Sequence, residues 1–230
     1  MKAHEFRVAR MNKGLVQTQV AKHLGVSQAY VNMLEKGKRP LTPELTRRVT
    51  NLFDLSPDRL PVSEEFVLSP TNNQHLVESL AKLKYPGFAY MRSHAPTRNP
   101  SEFLLTALGQ NDLEARVAEA LPWVVMQYTP GEPTWLVEQA RKLNLQNRLG
   151  FVVELATQVA EKVADYNDRL QSLRALRAKL DAGRLAKDDA FYREPKSEGE
   201  RRWLVQNRSA EAAHWNLLTD MKSEQLQYAR

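Results

Sequence analysis

The sequence predicts an all-α protein in two parts, a small N-terminal helical bundle and a larger helical C-terminal domain. Three observations predict it. Apolar residues recur at three- and four-residue spacing along most of the chain, as at Leu113, Val117 and Leu121, which is the helical period. The C-terminal half is glycine-poor and shows no sustained strand alternation. The positive charge is confined to one end: residues 1–61 carry eleven Lys or Arg against five Asp or Glu, whereas the remainder carries 22 of each. With 42 % hydrophobic residues in 230, both parts can fill a core. The chain has no cysteine, which excludes a disulfide framework and a thiolate metal site. The start Met-Lys-Ala-His-Glu-Phe lacks the apolar stretch of a signal peptide, and no apolar run nears the ~18 residues of a membrane span, so a cytoplasmic protein without a membrane partner is expected.

Gly14 to Arg39 is the most informative stretch and reads as a helix-turn-helix. Ala21 is small where one helix must approach the next, and Gly25 supplies a turn residue able to take positive φ. Ser27 can cap the following helix, and Val31 and Leu34 turn an apolar face inward. Gly37 is placed to end that helix in the left-handed region. Thr42-Pro43-Glu44 and Ser56-Pro57-Asp58 each give a cap, a proline at the first helical position and an acid near the positive helix end.

With these residues in place, Phe6 to Leu60 resembles the Cro/CI-like (XRE) family of DNA-binding regulators over about a quarter of the chain. The resemblance implies a five-helix, lambda-repressor-like domain over residues 1–62: helices near 3–12, 17–24 and 28–36, a fourth from Pro43 to Phe53 and a short fifth after Pro57. One position departs from the pattern. Val16 stands where the family usually has Ser or Thr, which forgoes a cap bond of about 1 kcal/mol at the second helix.

A helix in the major groove reads bases with its N-terminal residues. Gln28, first in the third helix, can pair bidentately with adenine, and by the family pattern Ala29 and Met33 share its groove-facing side, where they suit thymine methyls. Asn32 can reach a base edge or a phosphate. Gln17, Ser27 and the basic turn Lys36, Lys38 and Arg39 are expected at the DNA backbone, where contacts position without reading sequence. Tyr30 either joins them at the sugar-phosphate or covers the bundle, and Gln17 can also pack against Gln28, as in relatives of the family. Arg47 and Arg48 read as solvated charges.

Residues 63–100 read as a linker with one connecting helix. Pro61 to Gln74 is rich in Pro, Ser and Asn, Leu76, Leu80 and Leu83 share a helical face, and 92–100 is irregular. Residues 101–230 read as a helical dimerisation or partner-binding domain. Ser101 and Asp112 are its first expected caps, Pro122 interrupts the second helix, and Trp123–Tyr128 suits either a buried helix or a strand. Thr134 starts a further helix. Residues 151–182 predict one long helix in which Val159, Val163, Tyr166, Leu170, Leu173, Arg177 and Leu180 follow alternate spacings of four and three. That seam is either one arm of a helical hairpin, its partner near Trp203, Leu204, Ala210, Leu217 and Met221, or a coiled coil joining two chains. Ser223–Arg230 reads as a frayed polar end.

No Gly-rich phosphate loop, His-Glu-x-x-His or Gly-x-Ser-x-Gly is present, and His23, His75, His94 and His214 are scattered singly, so no catalysis, cofactor or metal is expected. Double-stranded DNA is the expected partner, bound by a homodimer. Three roles fit the C-terminal domain: dimerisation of a repressor, capture of a protein toxin by an antitoxin, or sensing of a small molecule by Trp123, Tyr128 and Trp135. Asn144 to Phe151 loosely resembles a segment of antitoxins paired with nucleotidyltransferase toxins, and it equally reads as a helix end, Arg148-Leu149-Gly150, turning into the next helix.

Overall fold

A computed structural model describes residues 1, 3–91, 97–128, 133–226 and 228. The fold is all-α, with twelve α-helices and four residues of strand among the described residues. The chain divides into two compact units, Met1–Ser63 and Glu64–Arg230. No helix among the described residues is long and apolar enough to cross a membrane.

The first unit holds α1 (Ala3–Asn12), α2 (Gln17–Leu24), α3 (Gln28–Glu35), α4 (Pro43–Phe53) and a 3₁₀ turn at Pro57–Arg59. Its core gathers Phe6, Val20, Ala21, Leu24, Val31, Leu34, Val49 and Phe53, the rings of Phe6 and Phe53 meeting edge to face at 5.6 Å. Val16 lacks a capping oxygen, yet the N-terminus of α2 is partly closed from the other side, because Gln19 Oε1 accepts from the Val16 N–H at 2.9 Å. Thr42 Oγ1 caps α4 by accepting from Leu45 N–H, with Pro43 in the first turn. The expected fifth helix is only the single turn. Leu60 precedes Pro61, a position that disfavours helical backbone, and its ψ is 142°. Arg59 and Glu5 pair at 2.8 Å and fasten the turn to α1.

The second unit begins earlier than the expected linker allows. Phe66 meets Trp135 edge to face at 5.9 Å, Leu68 lies against Gly109, and the Asn73 side chain bonds the backbone of Asp112 and Glu114. Leu76, Leu80, Leu83 and Phe88, on or just after α5 (Asn73–Lys82), are part of its core. The segment expected as linker and connecting helix is therefore built into this unit, its polar residues spent on fixing backbone. Of the irregular stretch expected at 92–100, residues 92–96 lie outside the described residues.

Next come α6 (Pro100–Leu108), α7 (Ala115–Gln127), α8 (Thr134–Lys142), α9 (Gln146–Lys162) and α10 (Leu170–Asp181). Asn99, not Ser101, caps α6, its Oδ1 accepting from Ser101 N–H at 2.8 Å. Asp112 does not cap α7 because residues 112–113 are drawn into a bridge with 192–193, Leu113 N–H donating to Tyr192 O at 2.7 Å. Pro122 lies inside α7 without ending it. A mid-helix proline costs about 3 kcal/mol. Burying Leu121, Val124, Val125 and Met126, all fully enclosed, contributes about 1.5–3 kcal/mol each and outweighs it. The same burial makes Trp123–Gln127 helix rather than strand.

α9 is buried nearly all round, as the central helix of a bundle must be. The single helix expected over 151–182 is broken: Val163 is extended, 164–169 form 3₁₀ turns, and α10 folds back along α9. Asp165, Asn167 and Asp168 offer the backbone side-chain bonds that compete with helix at this point. Arg177 and Glu154 pair at 2.5 Å across the hairpin, and Arg174 and Glu161 at 2.7 Å. Val159, Leu173 and Leu180 are fully buried in the chain's own core, and Val163, Tyr166 and Leu170 are packed against it. The arm that pairs with α9 is thus α10, not the segment near Trp203.

Residues 183–199 contain a strand, β1 (Asp189–Ala190), followed by α11 (Glu198–Asn207), α12 (Ala210–His214) and β2 (Leu217–Leu218), which pairs parallel with β1. Arg148 and Gly150, expected at a helix end, lie instead in the first turns of α9. The Trp215 ring presses on Gly150 so closely that it leaves no room for a Cβ there. The expected frayed end is anchored as far as it is described. Leu226 is fully buried, and the Tyr228 ring meets Tyr85 while its hydroxyl donates to Glu119 O at 2.6 Å; residues 227, 229 and 230 lie outside the described residues.

Candidate nucleic-acid interface

Two helix ends set the geometry of the motif. α2 stops at Gly25, whose φ of 66° is the left-handed turn the sequence requires, and Val26 N–H closes it by donating to Ala21 O at 3.0 Å. Ser27 then caps α3, its Oγ accepting from Tyr30 N–H at 3.1 Å. Ala21 is buried in the core that α2 and α3 share.

α3 divides cleanly into two faces. Val31 and Leu34 point into the core, while Gln28 and Ala29 are exposed and Asn32 and Met33 half-buried on the opposite side. The four expected base-reading residues therefore share one outward face, about one and a half turns long. Tyr30 is half-buried and packs against the core cluster, the bundle-covering place of its two expected ones.

Beyond α3 the chain turns at Gly37 (φ 68°), with Lys38 N–H donating to Met33 O at 2.9 Å. Lys36, Lys38 and Arg39 project from this closed turn, exposed and without an ion pair or side-chain hydrogen bond among the described residues. Arg48 is already engaged, bonding Leu24 O at 3.2 Å and Glu44 at 2.6 Å.

Gln17 has a partner that the sequence did not suggest. Its Nε2 donates to Glu35 Oε2 at 2.8 Å, not to Gln28. The same carboxylate accepts from Arg10 Nε at 2.5 Å and Nη2 at 3.3 Å, and Arg10 Nη1 reaches Leu15 O at 2.7 Å. One carboxylate thus ties α1, the start of α2 and the end of α3. Burial alone would raise the Glu35 pKa. The hydrogen bonds from Arg10 and Gln17, with the charges of Arg10 and Arg7, outweigh burial and hold it below its ordinary value. A signal for this pair exists in the sequence: Arg10 lies four residues after inward-facing Phe6, and Glu35 four after inward-facing Val31. Opposite charges therefore occupy positions where the helical period demands apolar residues.

In the second unit the aromatic residues considered for a sensor pocket do not converge. Trp123 and Tyr128 are buried and meet each other at 6.1 Å, Tyr128 donating to Leu83 O, while Trp135 pairs with Phe66 elsewhere.

A family model described as a helix-turn-helix domain matches residues 3–62. No curated protein and no solved structure matches the chain. The match ends within one residue of the first compact unit and spans α1 through the turn after α4. Residues 3–62 are a helix-turn-helix domain, similar to those of the Cro/CI-like (XRE) kind, and this domain points to a DNA-binding regulator.

Proposed function

We propose that the protein is a sequence-specific transcriptional repressor that binds a palindromic operator as a dimer and controls its own operon from the cytoplasm. It acts by occupying DNA and not by catalysis. The observation that carries this reading is the outward face of α3, where Gln28, Ala29, Asn32 and Met33 stand free of the core beside the unpaired Lys36, Lys38 and Arg39. Two such heads, set about 34 Å apart on one side of the duplex, convert the second binding event into an intramolecular one. Since the α9–α10 seam is filled by the chain's own core, the contact that pairs two chains belongs to another surface. Selecting bound duplexes from random sequence tests the proposal. A recovered motif with two inverted half-sites supports it, and a single ungapped site or no enrichment refutes it.

One observation favours a second reading, an antitoxin whose helical unit neutralises a protein toxin. α11 buries only Leu204 and exposes Trp203 and Val205, and tryptophan is among the residue types enriched at the hot spots of protein interfaces. Co-expression with the product of the neighbouring reading frame tests it: a stable complex lost on Trp203→Ala supports this role, and no complex removes it.

A further inference from the structure

The start of α9 forms one wall of an open cleft of about 760 Å³ in the second unit, within the size range of small-molecule sites. The wall is rigid. Asn147 holds Leu185 by both amide atoms, at 2.9 and 2.8 Å, and Gln146 bonds Gly183 O at 3.2 Å. Arg148, almost wholly buried, grips Asp189 with a two-pronged pair at 2.6 and 2.9 Å and also donates to Leu108 O and Gln110 O. These bonds use four of the five guanidinium donors and leave one. A buried ion pair of this kind adds little net stability over apolar packing, so fixing geometry is its better explanation.

The mouth of the cleft is differently furnished. Lys187 and Arg201 line it with no ion pair or side-chain hydrogen bond among the described residues. Asn111, Asn144 and Glu194, also exposed there, are likewise unengaged. The remaining acids are neutralised: Asp189 by Arg148, and Asp188 by Arg208 at 3.1 Å. Leu143 and Leu185 add apolar lining.

We propose that this cleft binds a sugar phosphate. Two free cations fit a phosphate dianion, for which Lys serves as a point charge and Arg as a fork. The two amides and the Glu194 carboxylate are the donors and acceptors that hydroxyl groups require, and the leucine side chains in the lining suit the apolar face of a sugar ring. Because the wall is already held, binding does not have to order it.

Isothermal titration calorimetry on the full chain tests the site with glucose 6-phosphate and ribose 5-phosphate as probes, against glucose, ribose and inorganic phosphate. The expected result is saturable binding of a phosphorylated sugar, no binding of the parent sugars, and weakening by about tenfold or more in Lys187→Ala/Arg201→Ala, a loss of about 1.4 kcal/mol. Both residues are exposed, so the variant keeps its fold, which circular dichroism verifies. Absence of heat with both sugar phosphates overturns the proposal. So does equal affinity for inorganic phosphate, the mark of an adventitious ion only, or binding unchanged by the double substitution. Since the readout needs no DNA, it fails or succeeds independently of the repressor reading.

Discussion

Gln28 stands first in α3, exposed, with its amide unengaged among the described residues. Removing that amide should cost about 1–3 kcal/mol of specific affinity and relax base preference at one position in each half-site. Competition of the Gln28→Ala protein against singly substituted operators measures this, and an unaltered preference at every position removes Gln28 from the readout. Glu35 does its work behind the face. Its side chain and that of Arg10 are both largely shielded, so Arg10→Met strands a buried carboxylate and should destabilise the first unit by about 3–5 kcal/mol. The sign with pH follows from the lowered pKa. The pair's contribution is whole above the ordinary carboxyl value of 4.5 and is lost as pH falls through the still lower folded value. The gap between wild type and Arg10→Met in denaturation should therefore narrow in strong acid. An equal gap at neutral and acidic pH would assign the effect to the lost side-chain stem instead of the charge.

The turn after α3 is the element that should set affinity without setting sequence. Replacing any one of Lys36, Lys38 or Arg39 should weaken binding to all duplexes alike and lower the salt slope by about one. Titration at several salt concentrations reads this directly, and a loss confined to the operator contradicts it. At α10, Leu173→Glu with Tyr166→Glu puts a carboxylate at a fully buried position, a penalty of several kcal/mol in a unit stabilised by about 5–15. Loss of helical signal is expected; a folded monomer would instead mark the seam as a contact between chains. Elements differ in how far the sequence announces them. α1 to α4 are legible because caps and turns are local: Gly25, Ser27, Gly37 and Thr42-Pro43 act within four residues of where they stand. The outward face of α3 follows from the same periodicity. What the sequence conceals is decided by distant partners. Pro122 stays helical because the core pays for it, Asp112 is claimed by Arg193, and the Arg10–Glu35 pair spans 25 residues. The heptad spacing of 159–180 is real, yet Asp165, Asn167 and Asp168 fold it back on itself.

At the scale of the whole molecule, the two units meet in sequence at a short exposed stretch. Glu64 and Glu65 are exposed, and Phe66 is packed against Trp135. A Glu-specific protease should therefore cut first at Glu64 or Glu65 and release two folded pieces, as mass spectrometry of early digests would show; first cuts inside 101–226 would contradict that division. The tail bears on how the protein is made. The Tyr228 hydroxyl bond closes a loop of 109 residues, whereas every residue of the first unit lies within the first 63. On the ribosome the DNA-reading head can therefore fold early, while the rest waits for Leu226 and Tyr228 before the surface they cover is sealed. A message broken or stalled just short of Leu226 would yield a head able to seek DNA, attached to a helical mass whose Tyr85 and Trp123 surface is left open. Such a product, its apolar surface uncovered, is a substrate for chaperones and proteases.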